Sequence, residues 1–218
     1  AVSAALHARE AKLLTQAMAE RMIDAATPEE SYKTLLECGY APLERCTLEN
    51  VEHALSQVRR ELYREVSVLA PDKRIIELFQ IKYDYHNAKL ALKSKRTGED
   101  VSRLAMDCGR FDAQKVLRGE TSAVSAAMSR AMAQAESEAG HSGDVRMAEL
   151  LLDRACYEEM SALASETGST FLKDYVALQI DAVNLRTLVR ARRMGCEDDV
   201  LAAAMLPGGH IPAGQLKG

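Results

Sequence analysis

The chain has 218 residues with 28 basic and 32 acidic side chains, a formal net charge of −4, no Trp and only 3 Phe. Charge this balanced and interspersed gives no electrostatic footprint for nucleic acid, and no apolar run approaches the ~18–20 residues needed to span a bilayer. Ala, Leu, Met, Glu, Lys and Arg dominate while β-branched residues are sparse, which points to a helical protein with no credible strand.

In chain order, residues 2–25 read as one helix, with Ala5, Leu6, Leu13, Leu14, Met18 and Met22 along one apolar stripe. Thr27-Pro28-Glu29-Glu30 restarts a helix: Thr27 caps, Pro28 suits the first turn and Glu30 completes a capping box. That helix stops at Gly39. Thr47 opens a long helix to about Leu69, which Pro71 ends, and Asp72 caps another that runs unbroken to Thr97 and closes on Gly98. Two short helical pieces follow, then Gly119, an Ala-rich helix over 122–139, a break at Ser142-Gly143 and a long helix over about 145–166. Ser169-Thr170 starts a second long helix, which ends at Met194 and Gly195. A short helix and a Pro207-Gly208-Gly209 turn complete the sequence. Helices of ~25 residues are about 38 Å long, so an elongated body is expected.

This pattern occurs twice, 97 positions apart: Asp84 and Asn87 recur as Asp181 and Asn184, Lys89, Lys93, Lys95 and Arg96 as Arg186, Arg190, Arg192 and Arg193, and Gly98 as Gly195. With a small gap, Gly109-Arg110-Phe111 and Val116-Leu117 resemble Gly209-His210-Ile211 and Leu216. The expected organisation is an N-terminal helix over 1–26, helical repeat one over 27–119 and helical repeat two over 120–218. Each repeat is a long helix pair flanked by short helices. Such units bury their long helices only by stacking, so two copies look like part of an array.

The repeated Asp and Asn lie one turn apart on a helix. A carboxylate–amide metal or acid–base site is one reading. A polar pair that hydrogen-bonds a neighbour and fixes packing register is the favoured one, because active sites are seldom duplicated with their scaffold. The basic clusters Lys93, Lys95, Arg96 and Arg190, Arg192, Arg193 sit in the last turns of the longest helices. Cations there complement the helix dipole for about 0.3–1 kcal/mol each; alternatively, both tails face an acidic partner. Gly39, Gly98 and Gly195 are read as left-handed residues closing helices. The five His (7, 53, 86, 141 and 210) form no HExxH or ExxH spacing, and Glu29-Glu30 and Glu158-Glu159 read as surface carboxylates. Five Cys (38, 46, 108, 156 and 196) form no CxxC pair and suit reduced thiols in the cytosol. There is no signal peptide, so any membrane role runs through partners. No nucleophile elbow or phosphate loop is present. No catalysis, metal or cofactor is expected.

Asp-Tyr-His-Asn-Ala-Lys-Leu-Ala-Leu-Lys (84–93) and Ile-Asp-Ala-Val-Asn-Leu-Arg-Thr-Leu-Val-Arg-Ala-Arg-Arg (180–193) resemble a recurring signature of the C subunit of V/A-type rotary ATPases, the counterpart of the eukaryotic d subunit. His7 to Leu14, the run from Ala26 through Leu35 to Tyr40, and Pro207 to Ile211 resemble the same family. The resemblance implies three similar helical domains around a pseudo-threefold axis, forming a funnel. One end receives the rotor shaft and the other sits on the membrane proteolipid ring, with no nucleotide bound and no reaction catalysed. It implies a cytoplasmic protein, peripheral to the membrane through the complex, with the rotor-shaft subunits and the ring as partners. The family is longer by about one repeat, so a third repeat is expected to be missing here. A helical-repeat scaffold or regulatory module unrelated to ATPases is the alternative, and a helical-bundle enzyme a distant third.

Overall fold

The computed structural model describes residues 2–143, 145–195, 198–212 and 214–215. Cys196, Leu216 and the side chain of Ala5, all named above, lie outside what is described. Every strand-length segment among the described residues is helical or irregular, so the fold is all-α. The helices are α1 (Val2–Glu10), α2 (Gln16–Asp24), α3 (Pro28–Glu37), α4 (Leu48–Leu69), α5 (Lys73–Thr97), α6 (Ala113–Leu117), α7 (Ala126–Ser142), α8 (Val145–Glu166), α9 (Thr170–Arg193) and α10 (Asp198–Ala204). Short 3-10 turns lie at Ser102–Leu104 and Thr121–Ala123.

Caps set most of these bounds. Thr27, Thr47 and Ser169 each accept a hydrogen bond from the backbone N–H three residues on, and Asp72 accepts one from Arg74 N–H. Each satisfies a donor that the first helical turn leaves orphaned. Glu30 reaches back to accept from Ala26 N–H at 3.1 Å, one residue before the Thr27 cap rather than from the cap's own N–H, so the expected capping box is a variant of the usual one. Gly39, Gly98 and Gly195 have φ of +91°, +71° and +66°, the left-handed backbone that a side chain would disfavour. The bounds of α4 and α8 differ by 97 positions at both ends, as do the starts of α5 and α9.

Two expected elements are corrected. The helix expected over 122–139 starts only at Ala126, where Ser125 takes an extended backbone and accepts from Met128 N–H, and it runs to Ser142. The single helix over 2–25, the stretch assigned to an N-terminal helix over 1–26, is two helices, α1 and α2. Thr15 takes an extended backbone and accepts from Met18 N–H, starting α2 afresh. Leu6, Leu13 and Leu14 remain exposed, so the stripe across the break has no burial to hold it in one helix.

The chain divides into two compact units, Ala1–Pro71 and Asp72–Gly218. In the first, α2 packs on α3, and the buried apolar side chains are Tyr32, Leu35 and Ala54. The Tyr32 hydroxyl donates to Ala41 O at 2.8 Å, tying α3 to the loop after it. Arg21–Glu37 and Arg9–Glu65 form ion pairs within the unit.

The second unit is organised around α8, against which α5, α7 and α9 all pack. Its core joins Leu78, Ile81, Tyr85 and Leu92 of α5, Met128 and Met132 of α7, Leu152 and Met160 of α8, and Val176 and Ile180 of α9. Phe79 of α5 and Tyr175 of α9 meet as a tilted ring pair, 5.1 Å between ring centres and 58° between planes. Arg side chains close helix ends across this unit. Arg74 donates to Glu166 O at the end of α8, and Arg154 donates to Ala203 O and Met205 O at the end of α10.

Candidate functional site

Asn87 sits mid-way along α5, fully buried, with its carboxamide set edge-on to one residue of the loop that follows. Its Nδ2 donates to Met106 O at 2.9 Å, and its Oδ1 accepts from Met106 N–H at 2.9 Å. Asn184 on α9 repeats this with Leu206, at 2.9 Å and 2.8 Å. A carboxamide used this way mimics a backbone pairing and satisfies both polar groups of one loop residue.

One turn earlier, Asp84 accepts from Arg110 N–H at 2.9 Å and Phe111 N–H at 3.2 Å. Asp181 accepts from His210 N–H and Ile211 N–H, both at 3.1 Å. Each carboxylate therefore holds two consecutive amides of the returning loop. Glycine makes the approach possible: a Cβ on Gly109 would meet Asp84 Oδ1 inside van der Waals contact, and one on Gly209 would meet Asp181 Oδ1. The result is a duplicated clamp, in which an Asp and an Asn on one helix face grip the loop that comes back over it. The first copy has further stitches. Gln80 Nε2 donates to Cys108 O and Gly109 O, both at 3.2 Å, where the second copy has Ala177.

The charge environments of the two clamps differ. Arg110 Nε donates to Asp84 Oδ2 at 2.7 Å and its Nη1 to Glu159 Oε1 at 2.9 Å. Glu159 also accepts from the Tyr85 hydroxyl at 2.8 Å and from Ser125 Oγ–H at 3.0 Å. Burial pushes the Asp84 carboxyl above the usual carboxylate range, with the Arg110 guanidinium and the two amides pulling against it. Burial pulls the Arg110 guanidinium down, but its bonds to Glu159 and Asp84 outweigh this and raise it. Burial, reinforced by the neighbouring Glu159, pushes the Tyr85 phenol far up, so it is a donor at any working pH. In the second copy, His210 stands where Arg110 does, with its Nδ1 3.4 Å from Asp181 Oδ2. This arrangement fixes chains in place; among the described residues no group of three His, Cys, Asp or Glu side chains is placed to hold a metal ion.

Sequence reasoning singled out Asp84, Asn87, Asp181 and Asn184 but not their charged partners. Glu159, read from sequence as a surface carboxylate, has a side chain only 13% exposed in the Arg110 pair. The signal that pointed to Arg110 was the match of Gly109-Arg110-Phe111 with Gly209-His210-Ile211. The basic tails are placed as follows. Lys93 pairs with Glu149 at 2.8 Å and Lys95 with Glu136 at 2.9 Å. Arg96, Arg190, Arg192 and Arg193 are exposed. No helix among the described residues is long and apolar enough to cross a membrane.

Among the described residues the chain is all-helical, and two of its long helices, α5 and α9, are each locked to the following loop by an Asp/Asn clamp. The chain belongs to the ATP synthase (C/AC39) subunit family, whose sequence pattern matches residues 2–217. It is similar to the C subunit of the V-type ATP synthase of Thermus thermophilus, 26% identical over 178 residues that cover 75% of this chain and 53% of that protein. It is similar also to the C subunit of the V-type sodium ATPase of Enterococcus hirae, 21% identical over 212 residues, covering 95% of this chain and 65% of the relative. The C subunit of the A-type ATP synthase of Desulfurococcus sp. is 24% identical over 223 residues, covering 96% and 61%. The chain thus spans between half and two thirds of the length of these relatives.

Proposed function

We propose that the protein is a stalk subunit of a V/A-type rotary ATPase that couples the rotor shaft to the membrane proteolipid ring and catalyses no reaction itself. The observation that carries this reading, beside the family, is the duplicated clamp. A coupler must transmit torque without yielding, and close-packed helices whose return loops are bonded to them at several points move as one stiff body. The clamp commits its carboxamides to backbone groups and its carboxylates to backbone groups and, at Asp84, to the Arg110 guanidinium, which suits a structural role. The protein works at the cytoplasmic face, peripheral to the membrane, through its contacts in the complex. In this reading the chain is built as repeat one over 27–119 and repeat two over 120–218, each contributing one clamp.

The test is reconstitution of the natural polypeptide with the rotor-shaft subunits and, separately, with the isolated proteolipid ring, beside an ATPase assay of the polypeptide alone. Specific retention by both and no ATP hydrolysis is expected. Retention by neither defeats the coupling role and favours an unrelated helical scaffold.

A further inference from the structure

The two clamps differ at one position in a way that a proton can read. Arg110, the residue after Gly109, is a fixed cation bonded to Asp84 and Glu159 at 2.7 and 2.9 Å. His210, the residue after Gly209, takes its place in the second clamp. Its ring stands between two carboxylates of α9. Nδ1 is 3.4 Å from Asp181 Oδ2, and Nε2 is 3.7 Å from Asp174 Oδ1. A neutral imidazole has one N–H and one lone pair, so in either tautomer one ring nitrogen turns its lone pair toward a carboxylate oxygen. The imidazolium offers an N–H to each. From α8, Arg154 reaches the same stretch of chain, but it donates to Ala203 O and Met205 O, ahead of the clamp.

The second return loop also has fewer other ties. The first is stitched by Gln80 to Cys108 O and Gly109 O, and Cys108 is itself buried. The second has Ala177 in place of Gln80 and Gly208 in place of Cys108. Gly208 is exposed, with φ of +97°. Two successive glycines have the most backbone freedom to regain when a bond is released. Residues 206–211 are held by the paired bonds of Asn184 to Leu206 and by the two amides on Asp181. A charged ring at His210 adds to that hold.

We propose that the second clamp is a proton-operated lock, in which protonated His210 ties the return loop to α9 through Asp181 and Asp174 and the neutral ring releases that tie. Imidazole is the side chain whose charge ordinarily changes between pH 5 and 8. A proton on the closed clamp gains two ion pairs, and one on an opened loop gains neither. Closure is therefore favoured as pH falls through this range and weakened as pH rises. The device belongs to the clamp and stands whether or not the coupling role does.

The experiment is amide exchange of the whole chain at pH 5.5 and pH 8.0, each rate divided by its random-coil value at that pH. It is repeated with His210→Arg and His210→Gln. The ring is 53% exposed, so the tie is modest. Protection of the amides of residues 210 and 211 is expected to be roughly two- to fivefold higher at pH 5.5, the range of a partly exposed ion pair. His210→Arg should keep the higher protection at both pH values, and His210→Gln the lower. Equal protection at the two pH values in the unaltered chain overturns the proposal. A pH response that survives in His210→Gln assigns it to another group and overturns it too. So does low protection of residue 211 in His210→Arg, because a cation at this position would then not tie the loop.

Discussion

At Asp84 a fully buried carboxylate is surrounded by donors: two backbone amides and the Arg110 guanidinium. Replacing it with Asn keeps an acceptor for the amides but turns an NH2 toward Arg110, leaving a buried cation short of its partner. Breaking a buried pair in this way costs about 3–5 kcal/mol; retention of Glu159 by Arg110 places Asp84→Asn toward the lower end. Asp181 has no guanidinium, but its two oxygens each accept one amide, so Asp181→Asn turns an NH2 against one of those N–H groups and loses its charge-assisted bond, at a cost of about 1.5–3 kcal/mol. Urea unfolding of both variants should rank Asp84→Asn as the more destabilised, and the opposite order would show that Arg110 contributes nothing net. Gly109→Ala and Gly209→Ala are each expected to cost about 1–3 kcal/mol, since the methyl must push the carboxylate off its amides. The Asp/Asn pairs were legible in the sequence because they recur at a fixed offset of 97 positions together with Gly98 and Gly195. Arg110 and Glu159 were not, because their partners come from other elements and a solvated Glu-Glu dipeptide looks identical until the helices pack. Buried thiols give a further reading. Burial pushes Cys156 up to about 12, so it stays a protonated thiol at neutral pH. Peptide mapping after brief alkylation should show Cys38 and Cys46, both half-buried, modified well before Cys156 and Cys108.

Among the elements, the starts at Thr27, Thr47, Asp72 and Ser169 and the stops at Gly39, Gly98 and Gly195 were legible because their signals are local. A Thr, Ser or Asp cap needs only its own next three residues, and a left-handed glycine needs only its own φ. Ser169→Ala is accordingly expected to lower stability by about 1 kcal/mol, measurable as a shift in the thermal midpoint, with α9 otherwise intact. A shift no larger than that of an exposed Ser→Ala control would mean that the core around Leu172 and Val176 starts the helix without its cap. The break between α1 and α2 was missed for the opposite reason. Leu13 and Leu14 continue the apolar period through the Thr15 cap, and the period alone does not reveal that neither leucine is buried. Periodicity predicts a face, while burial decides whether the face is used.

For the whole molecule, the distribution of buried side chains between the two units sets the order in which they open. In Ala1–Pro71 the buried apolar groups are Tyr32, Leu35 and Ala54, and neither α1 nor α2 contributes one among its described side chains. Asp72–Gly218 holds one continuous core running from Leu78 through Met128, Leu152 and Met160 to Ile180. It also holds both clamps and the buried Arg110 pairs. Free energies of local opening follow buried apolar contact and protected backbone hydrogen bonds, so the two units should not open together. Native-state hydrogen exchange of the whole chain is expected to place the slowest amides on α5 and α8, near Leu78, Asp84 and Leu152. Amides of α1 and α2 should exchange fastest, through openings that leave α5 to α9 folded. The clamped loops make the sharper test. Met106, Arg110 and Phe111 lie in irregular chain, which ordinarily exchanges quickly, yet their N–H groups are bonded to Asn87 and Asp84. They should exchange with α5 rather than with exposed loops, and Asn87→Ala should release Met106 selectively. If these amides exchanged as fast as those of the loop at residues 41–47, helix and return loop would not move as one body, and the stiffness that the proposed coupling role requires would have to come from somewhere other than the clamps.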